Sequence, residues 1–282
     1  MSKAEPNKAE PDDEDEESKG PPRGIAVGVY GLVLFLACRL LEIFLEAQAT
    51  ASAVGQAVLV EWAASRLGVV WTDSKTEQPK AVIAKRMGVG AMLGFGTAAA
   101  LIFVLLLSRG ASMEAVAAIP LSMIVIGLIT AGLHAWRDEL LIHGVALRAL
   151  GLWDPGDQSG RPHDIFRVVA CGVTSAGAAL GRSDASARTV MVATALGMIF
   201  GSLWVRDRGA WMPWTAHTAF RFTTDTLIAG GIVQFRLVPG GWSGGDAGLF
   251  SGTAAVVALA PMAVLSVLAI VRRISPDPAR VG

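Results

Sequence analysis

Long apolar stretches separated by short polar ones dominate this chain. A helix needs ~20 mainly apolar residues to cross the hydrocarbon core of a bilayer. Stretches that approach this length are Gly24–Leu45, Gly88–Leu107, Ala117–Trp136, Phe166–Leu180, Arg188–Val205, Trp211–Val233 and Leu249–Val271. A weaker one, Ala53–Val70, contains Glu61 and Arg66, so it either crosses the membrane or lies in its interface. The pattern predicts an all-α fold, a polytopic transmembrane helical bundle of about eight membrane segments.

Composition supports a membrane protein. Hydrophobic residues make up 52% of the chain and charged residues 17%, and the mean hydropathy is +0.51. A soluble domain of this size presents more charge to water. Residues 1–23 are polar and acidic, and we expect them to form a disordered tail. The transmembrane domain is expected over 24–273, followed by a short tail at 274–282.

Basic residues near the span ends predict the orientation of the bundle, because Lys and Arg collect in cytoplasmic loops. The relevant residues are Lys75, Lys80, Lys85, Arg86, Arg148, Arg161, Arg167, Arg272 and Arg273. If Ala53–Val70 crosses, all of them share one side with the N-terminus. We therefore expect an integral protein of the bacterial inner membrane with both termini cytoplasmic. If that segment does not cross, the acidic tail moves to the other side.

The first candidate cluster of ionisable residues runs from His134 to His143 and includes Arg137, Asp138 and Glu139. Residues four apart on a helix share a face, whereas neighbours differ by ~100°. The adjacent carboxylates therefore point in different directions, so one can act in chemistry while the other hydrogen-bonds within the bundle. The alternative is that the charged run marks a helix end in water, with Arg137 as a boundary residue.

The second candidate cluster is a polar stripe of His217, Arg221 and Asp225, which recur every four residues on an apolar helix. An ionisable side chain at membrane depth costs ~2.5–3.5 kcal/mol on insertion scales, so it usually marks a site. His217 suits a general acid or base, an oxyanion donor or a metal ligand.

Zinc-competent residue types are present in both clusters, yet we expect neither a metal nor another cofactor. The sequence has no His-Glu-x-x-His motif. His134 and His143 are nine residues apart and lie ~180° apart around a helix, so they cannot readily bind one ion together.

The order of these residues resembles the CPBP family of intramembrane endopeptidases, which includes CAAX-processing proteases and bacteriocin-immunity (Abi) proteins. The similarity covers about 117–227. It rests on Asp138-Glu139-x-x-x-His143-Gly144, on Gly197-x-x-x-Gly201, and on Pro213-x-x-x-His217-x-x-x-Arg221. In the family a glutamate and a histidine activate water, and a further histidine and an asparagine stabilise the oxyanion. The resemblance implies catalytic roles for Asp138, Glu139, His143, His217 and Arg221.

Several positions depart from the family pattern. Asp138 is one methylene shorter than the expected glutamate, His143 stands where the family has arginine, and Arg221 replaces asparagine. The middle motif, Phe-x-x-x-His, is expected in Val168–Leu180, which contains no histidine. His163 precedes that helix and reads as a loop residue.

The resemblance implies hydrolysis of a peptide bond in a membrane-associated or lipid-modified protein, such as a prenylated C-terminal peptide, a leader peptide or a sorting tail of the myxosortase type. The alternative is a catalytically degenerate member that acts as a binding, regulatory or immunity protein. A transporter is a third hypothesis, although the two halves of the chain lack matching Gly/Pro-broken helices. Expected partners are the bilayer and the substrate, with no nucleic acid. The sequence leaves the oligomeric state open.

Overall fold

The computed structural model describes residues 24–45, 47–69, 71, 79–114, 120–150, 162–182 and 185–274. The predicted acidic tail, and the predicted C-terminal tail from residue 275 onward, lie outside these residues. The helices are α1 Gly24–Phe44, α2 Ala49–Arg66, α3 Lys80–Leu107, α4 Leu121–Asp138, α5 Ala146–Ala149, α6 Pro162–Leu180, α7 Ala187–Asp207, α8 Trp211–Arg221 and α9 Thr253–Ile274. The all-α helical bundle expected from the sequence is confirmed.

Two helices continue into π-helical turns at the positions of the candidate clusters. A π-helical segment, Glu139–Val145, joins α4 to α5, and a second, Phe222–Ile228, extends α8. The chain therefore stays helical beyond Asp138, but with wider turns than an α-helix. Such turns occur frequently at functional sites.

The described residues include one small sheet, an antiparallel ribbon of two strands. Its strands are β1, Ala111–Glu114, and β2, Gln234–Leu237, with Ala111 opposite Leu237 and Glu114 opposite Gln234. The ribbon joins the segment after α3 to the segment before α9. The sequence analysis did not predict it, because four-residue strands carry too little alternation to stand out.

Helix ends follow local chemistry. Helix α3 begins directly after Pro79, well before the predicted Gly88, because Lys85 and Arg86 are good helix formers. Helix α7 opens with a capping box in which Ser186 and Thr189 bond each other's backbone N–H groups. The C-cap of α7 is Arg208 in the left-handed region, at φ 51°. The chain turns there into α8.

Buried apolar side chains form two clusters. The first joins α3, α7, α8 and α9 and includes Leu101, Phe200 and Phe220. The second joins α1, α2, the Glu139–Val145 segment and α7 and includes Leu140 and Trp204. Phe200 and Trp204 lie one turn apart on α7, so this helix belongs to both clusters. The polar candidate residues lie between them.

Four described helices, α1, α3, α7 and α9, are long and apolar enough to cross a membrane. Helix α1 presents many large apolar side chains outward, as a lipid-facing helix does. The weaker segment is the helix α2, whose buried side chains include Gln56 and Val60. The protein is thus an integral membrane protein, while the count of about eight segments and their orientation stay predictions.

Close packing of α3 against α8 depends on the small size of Gly94, which a substitution by alanine tests. A Cβ at Gly94 would lie 1.9 Å from the carbonyl oxygen of Ala216, whereas a Cβ at Gly96 would meet nothing within 4 Å. We expect Gly94→Ala to lower the free energy of unfolding by about 1–3 kcal/mol through overpacking. Gly96→Ala should be neutral or stabilising by about 0.5–1 kcal/mol, since alanine favours a helix. Thermal unfolding midpoints in detergent micelles compare the two, and equal midpoints would contradict this packing.

Candidate active site

Glu139 is the centre of the polar region. Its side chain is 0% exposed, and it accepts hydrogen bonds from three N–H groups on three stretches of chain. His143 Nδ1 lies 2.9 Å and Trp204 Nε1 2.5 Å from Oε2, and His217 Nδ1 lies 2.8 Å from Oε1. One carboxylate therefore holds α7, α8 and its own helix together.

These contacts fix the orientation of both imidazole rings. An indole N–H can only donate a hydrogen bond and an ionised carboxylate can only accept. The Nδ1 atoms of His143 and His217 must therefore carry protons and donate to Glu139. In the neutral rings this leaves each Nε2 as a basic nitrogen. Such control of a histidine by a carboxylate is how active sites prepare an imidazole for proton transfer.

Asp138 points into a different network. Its carboxylate accepts a hydrogen bond of 2.7 Å from Arg137 Nε and one of 2.6 Å from Arg221 Nη1. Arg221 Nε also donates to Asp225 over 3.0 Å. Two guanidinium groups stabilise the charged form of Asp138, so this carboxylate is a weak proton acceptor.

Arg137 connects this network to the first two helices. It donates to Glu42 of α1 and to the amide oxygen of Gln56 of α2. Its side chain is 14% exposed. The interpretation of Arg137 as a boundary residue in water is therefore wrong, because its charge is paired inside the bundle.

Both networks meet at one cavity of about 480 Å³. Its polar lining includes Asp138, His143, Ser175, His217 and Arg221, while Glu139 lies buried behind the two histidines. Further charged residues of the lining are Arg39, Glu42, Arg137, Arg182 and Asp225. Its apolar lining includes Phe35, Leu141, Val192, Leu196, Phe200, Phe220 and Phe250. The volume and the mixture of apolar walls with a few polar groups are typical of a ligand site.

Local packing sets the position of each functional side chain. The ring of Phe200 stacks on His217 with centroids 4.5 Å apart, which fixes the plane of the imidazole. The Asp207 carboxylate accepts from the N–H of Met212 over 3.0 Å and so caps the start of α8. Pro213 fits there because the first turn of a helix leaves its N–H groups without intrahelical partners.

The five predicted site residues lie together, in two groups. Asp138 pairs with Arg221, while Glu139 joins His143 and His217. The stripe on α8 keeps its predicted spacing. His134 contributes to neither group: its Nδ1 is buried and has no hydrogen-bond partner.

Sequence analysis missed Trp204, Ser175, Glu42 and Gln56 as members of the polar region. Tryptophan in an apolar helix looks like ordinary core or interface packing. Serine is common in helix contacts, so Ser175 carried no signal in the sequence. Glu42 lies near the end of the first apolar stretch, where a charged residue is ordinary. The pairing with Arg137, 95 residues away, has no local signature.

Metal binding finds no support among the residues that the structure describes, since no group of three or more His, Cys, Asp or Glu side chains is arranged to hold an ion. The Nδ1 atoms of His143 and His217 are both directed to Glu139. These contacts leave the Nε2 atoms, which are also zinc-competent, outside the hydrogen bonds to Glu139.

Two histidines oriented by a buried glutamate, with an arginine at the same cavity, are the groups that proton transfer and stabilisation of an oxyanion require. Residues 117–223 match the family described as "Type II CAAX prenyl endopeptidase Rce1-like". This part of the chain therefore resembles the CAAX protease (CPBP) family, as its motif order indicated. No curated protein and no solved structure matches the chain.

The three donors around Glu139 make its charge a testable structural element. In Glu139→Gln the charge that three donors stabilise is lost, and the NH₂ group can pair with His217 Nδ1 only if that ring moves its proton to Nε2. Hydrogen bonds to a neutral acceptor are weaker than those to a charged one by about 1 kcal/mol each, so the thermal midpoint in detergent should fall. Glu114→Gln is the matched control, because Glu114 is exposed on β1 and lies 3.9 Å from Arg236. A midpoint for Glu139→Gln equal to that of the control would show that the three contacts contribute nothing.

Proposed function

We propose that this protein is a CAAX-type intramembrane endopeptidase, which hydrolyses a peptide bond of a membrane-associated protein. The observation that carries the proposal is the arrangement around Glu139: one buried carboxylate orients two histidines at the wall of a cavity that also contains Arg221. The match of residues 117–223 to the CAAX protease family supports the same activity class.

Proton transfer in this proposal is carried out by histidine. Glu139 is fully buried with both oxygens hydrogen-bonded, and Asp138 is neutralised by Arg137 and Arg221. Neither suits the role of base that the sequence comparison assigned to a carboxylate. A histidine whose Nδ1–H is held by Glu139 keeps Nε2 for accepting a proton from the attacking hydroxyl and returning it to the leaving amine.

In this proposal Arg221 stabilises the negative charge that develops on the scissile carbonyl oxygen. Its guanidinium lines the cavity and is fixed by carboxylates on both sides, Asp138 and Asp225. A cation held in this way needs little reorganisation when an oxyanion forms. In this scheme Asp138 is a positioning residue for Arg221.

The substrate class that fits is a lipid-modified C-terminal peptide. The apolar side chains of the cavity, such as Leu196, Phe220 and Phe250, accommodate an aliphatic chain or an apolar side chain. The basic side chains Arg39 and Arg182 line the same cavity and suit a terminal carboxylate. A sorting tail or leader peptide is the second substrate class.

A binding protein without catalysis is the alternative function. The absence of histidine from Val168–Leu180 and the neutralisation of Asp138 by two arginines favour it. The cavity would then hold a membrane peptide without cleaving it. The two functions separate in a cleavage assay.

Cleavage of a prenylated fluorogenic C-terminal peptide by the full chain in proteoliposomes tests the proposal. We expect His217→Ala to lower kcat by about 10²–10⁴-fold, the usual contribution of general acid–base catalysis. Arg221→Ala should lower kcat by about 10²–10³-fold, as the loss of an oxyanion donor does. Arg236→Ala is the matched arginine control, because its side chain is 73% exposed on β2, and it should keep the wild-type rate.

Three outcomes would contradict the proposal in whole or in part. If His217→Ala and Arg221→Ala fold like the wild type and cleave at its rate, the catalytic assignment fails. If the wild type binds the prenylated peptide without cleaving it, the binding function replaces the enzyme. Cleavage of an unprenylated control peptide at the same rate would remove the lipid from the substrate class but leave the protease.

A further inference from the structure

Ser175 occupies an unusual position for a helical serine. It lies on α6, half-buried, and lines the cavity. Its Oγ is 3.1 Å from Nε2 of His143, on a different helix. The neighbouring Thr174 shows the ordinary alternative, since its hydroxyl bonds the carbonyls of Ala170 and Cys171 one turn back.

The tautomer of His143 makes Ser175 the donor in this contact. Because Nδ1–H donates to Glu139 over 2.9 Å, Nε2 of the neutral ring is an acceptor, and the serine hydroxyl donates to it. The result is a continuous series of hydroxyl, imidazole and carboxylate, in the order Ser175, His143, Glu139. A nucleophile bonded to a base that is itself oriented by a third group is the signature of covalent catalysis.

Gly197 of α7 leaves room for the serine. A Cβ at Gly197 would lie 2.4 Å from Ser175 Oγ and 2.7 Å from its Cβ. The close approach of α6 and α7 at this glycine therefore restricts where the hydroxyl can point. Ser175 is thus held against His143 by packing as well as by the hydrogen bond.

We propose that Ser175 is the nucleophile of this protein and a catalytic residue that the family comparison does not assign. The inference rests on the proposed function and names the group that attacks the scissile carbonyl. It gives His143 the role of general base and Glu139 that of the carboxylate that orients it. Arg221 then stabilises the carbonyl oxygen.

The reaction balances with one water molecule. Ser175 Oγ forms a bond to the carbonyl carbon while its proton passes to His143 Nε2. The C–N bond then breaks, and the same proton goes to the leaving amine, which leaves an ester on Ser175. Water attacks this ester, gives a proton to His143 Nε2, and the serine hydroxyl is restored as the carboxylic product departs.

An alkyl fluorophosphonate tests the proposal without knowledge of the substrate. The full chain in detergent micelles is incubated with the probe, and the modified residue is identified by peptide mass spectrometry. We expect labelling at Ser175, and a fall of about 100-fold or more in labelling rate for Ser175→Ala and for His143→Gln. Thr174→Val is the matched control, since it removes the adjacent hydroxyl from the same helix, and it should label as the wild type does.

Two results would overturn the assignment. One is a wild-type protein that takes no label or takes it at another residue, a measurement that needs no variant to fold. The other is prenylated-peptide cleavage at the wild-type rate by Ser175→Ala, with the His217→Ala variant inactive. In that case the proposed function stands and Ser175 only positions His143.

Failure of the proposed function gives a different pattern. If the wild type cleaves no peptide and yet labels at Ser175 in a His143-dependent manner, the nucleophile assignment stands and the peptidase proposal falls. An ester substrate with a chromogenic leaving group would then show a burst of one equivalent per active serine.

Discussion

A buried negative charge on Glu139 is the constraint on which the rest of the polar region depends. An ionised carboxylate withdrawn from water is strongly unfavourable unless hydrogen bonds and charge compensate it. Three N–H donors do so, from the Glu139–Val145 segment, from α7 and from α8. The requirement to satisfy one side chain therefore sets the relative placement of three helical stretches. Glu139 also links the two apolar clusters. Its partner Trp204 belongs to one cluster, and its partner His217 stacks on Phe200, which belongs to the other.

Neighbouring carboxylates divide two tasks because successive helical residues point ~100° apart. Glu139 accepts hydrogen bonds from indole and imidazole N–H groups and so orients these rings. Asp138 instead forms ion pairs with Arg137 and Arg221. The arginines in turn reach Glu42 and Asp225, so positive and negative groups alternate from α1 to the end of α8. Such alternation lets two guanidinium groups remain inside an apolar bundle. One of them, Arg221, is thereby kept at the cavity in a defined orientation.

Features that repeat along a single helix could be predicted from the sequence. Side-chain contacts between helices far apart in the chain could not. Apolar stretches predicted the helices, and the four-residue spacing of His217, Arg221 and Asp225 predicted the polar stripe that runs from α8 into the Phe222–Ile228 segment. Contacts such as Arg137 with Glu42, or His143 with Ser175, join helices far apart in the chain, and nothing in either local sequence announces the other. The π-helical turns were not predicted, because an apolar pattern indicates a helix without distinguishing turns of different width.

Helix α6 lacks the histidine of the family motif, but it places Ser175 against His143 at the cavity. The family pattern expects an imidazole on that helix, facing an acidic motif on the preceding one. Here the imidazole, His143, lies one turn after Glu139 on the acidic helix itself, and α6 presents the hydroxyl of Ser175 to it. The two helices still meet through one polar contact at the cavity, with the chemical groups exchanged between them. Loss of the histidine without compensation would leave Nε2 of His143 facing an apolar helix, whereas the bond to Ser175 and the space left by Gly197 give that nitrogen a partner. Where the family motif is absent, the site thus retains a set of polar groups that are hydrogen-bonded to one another.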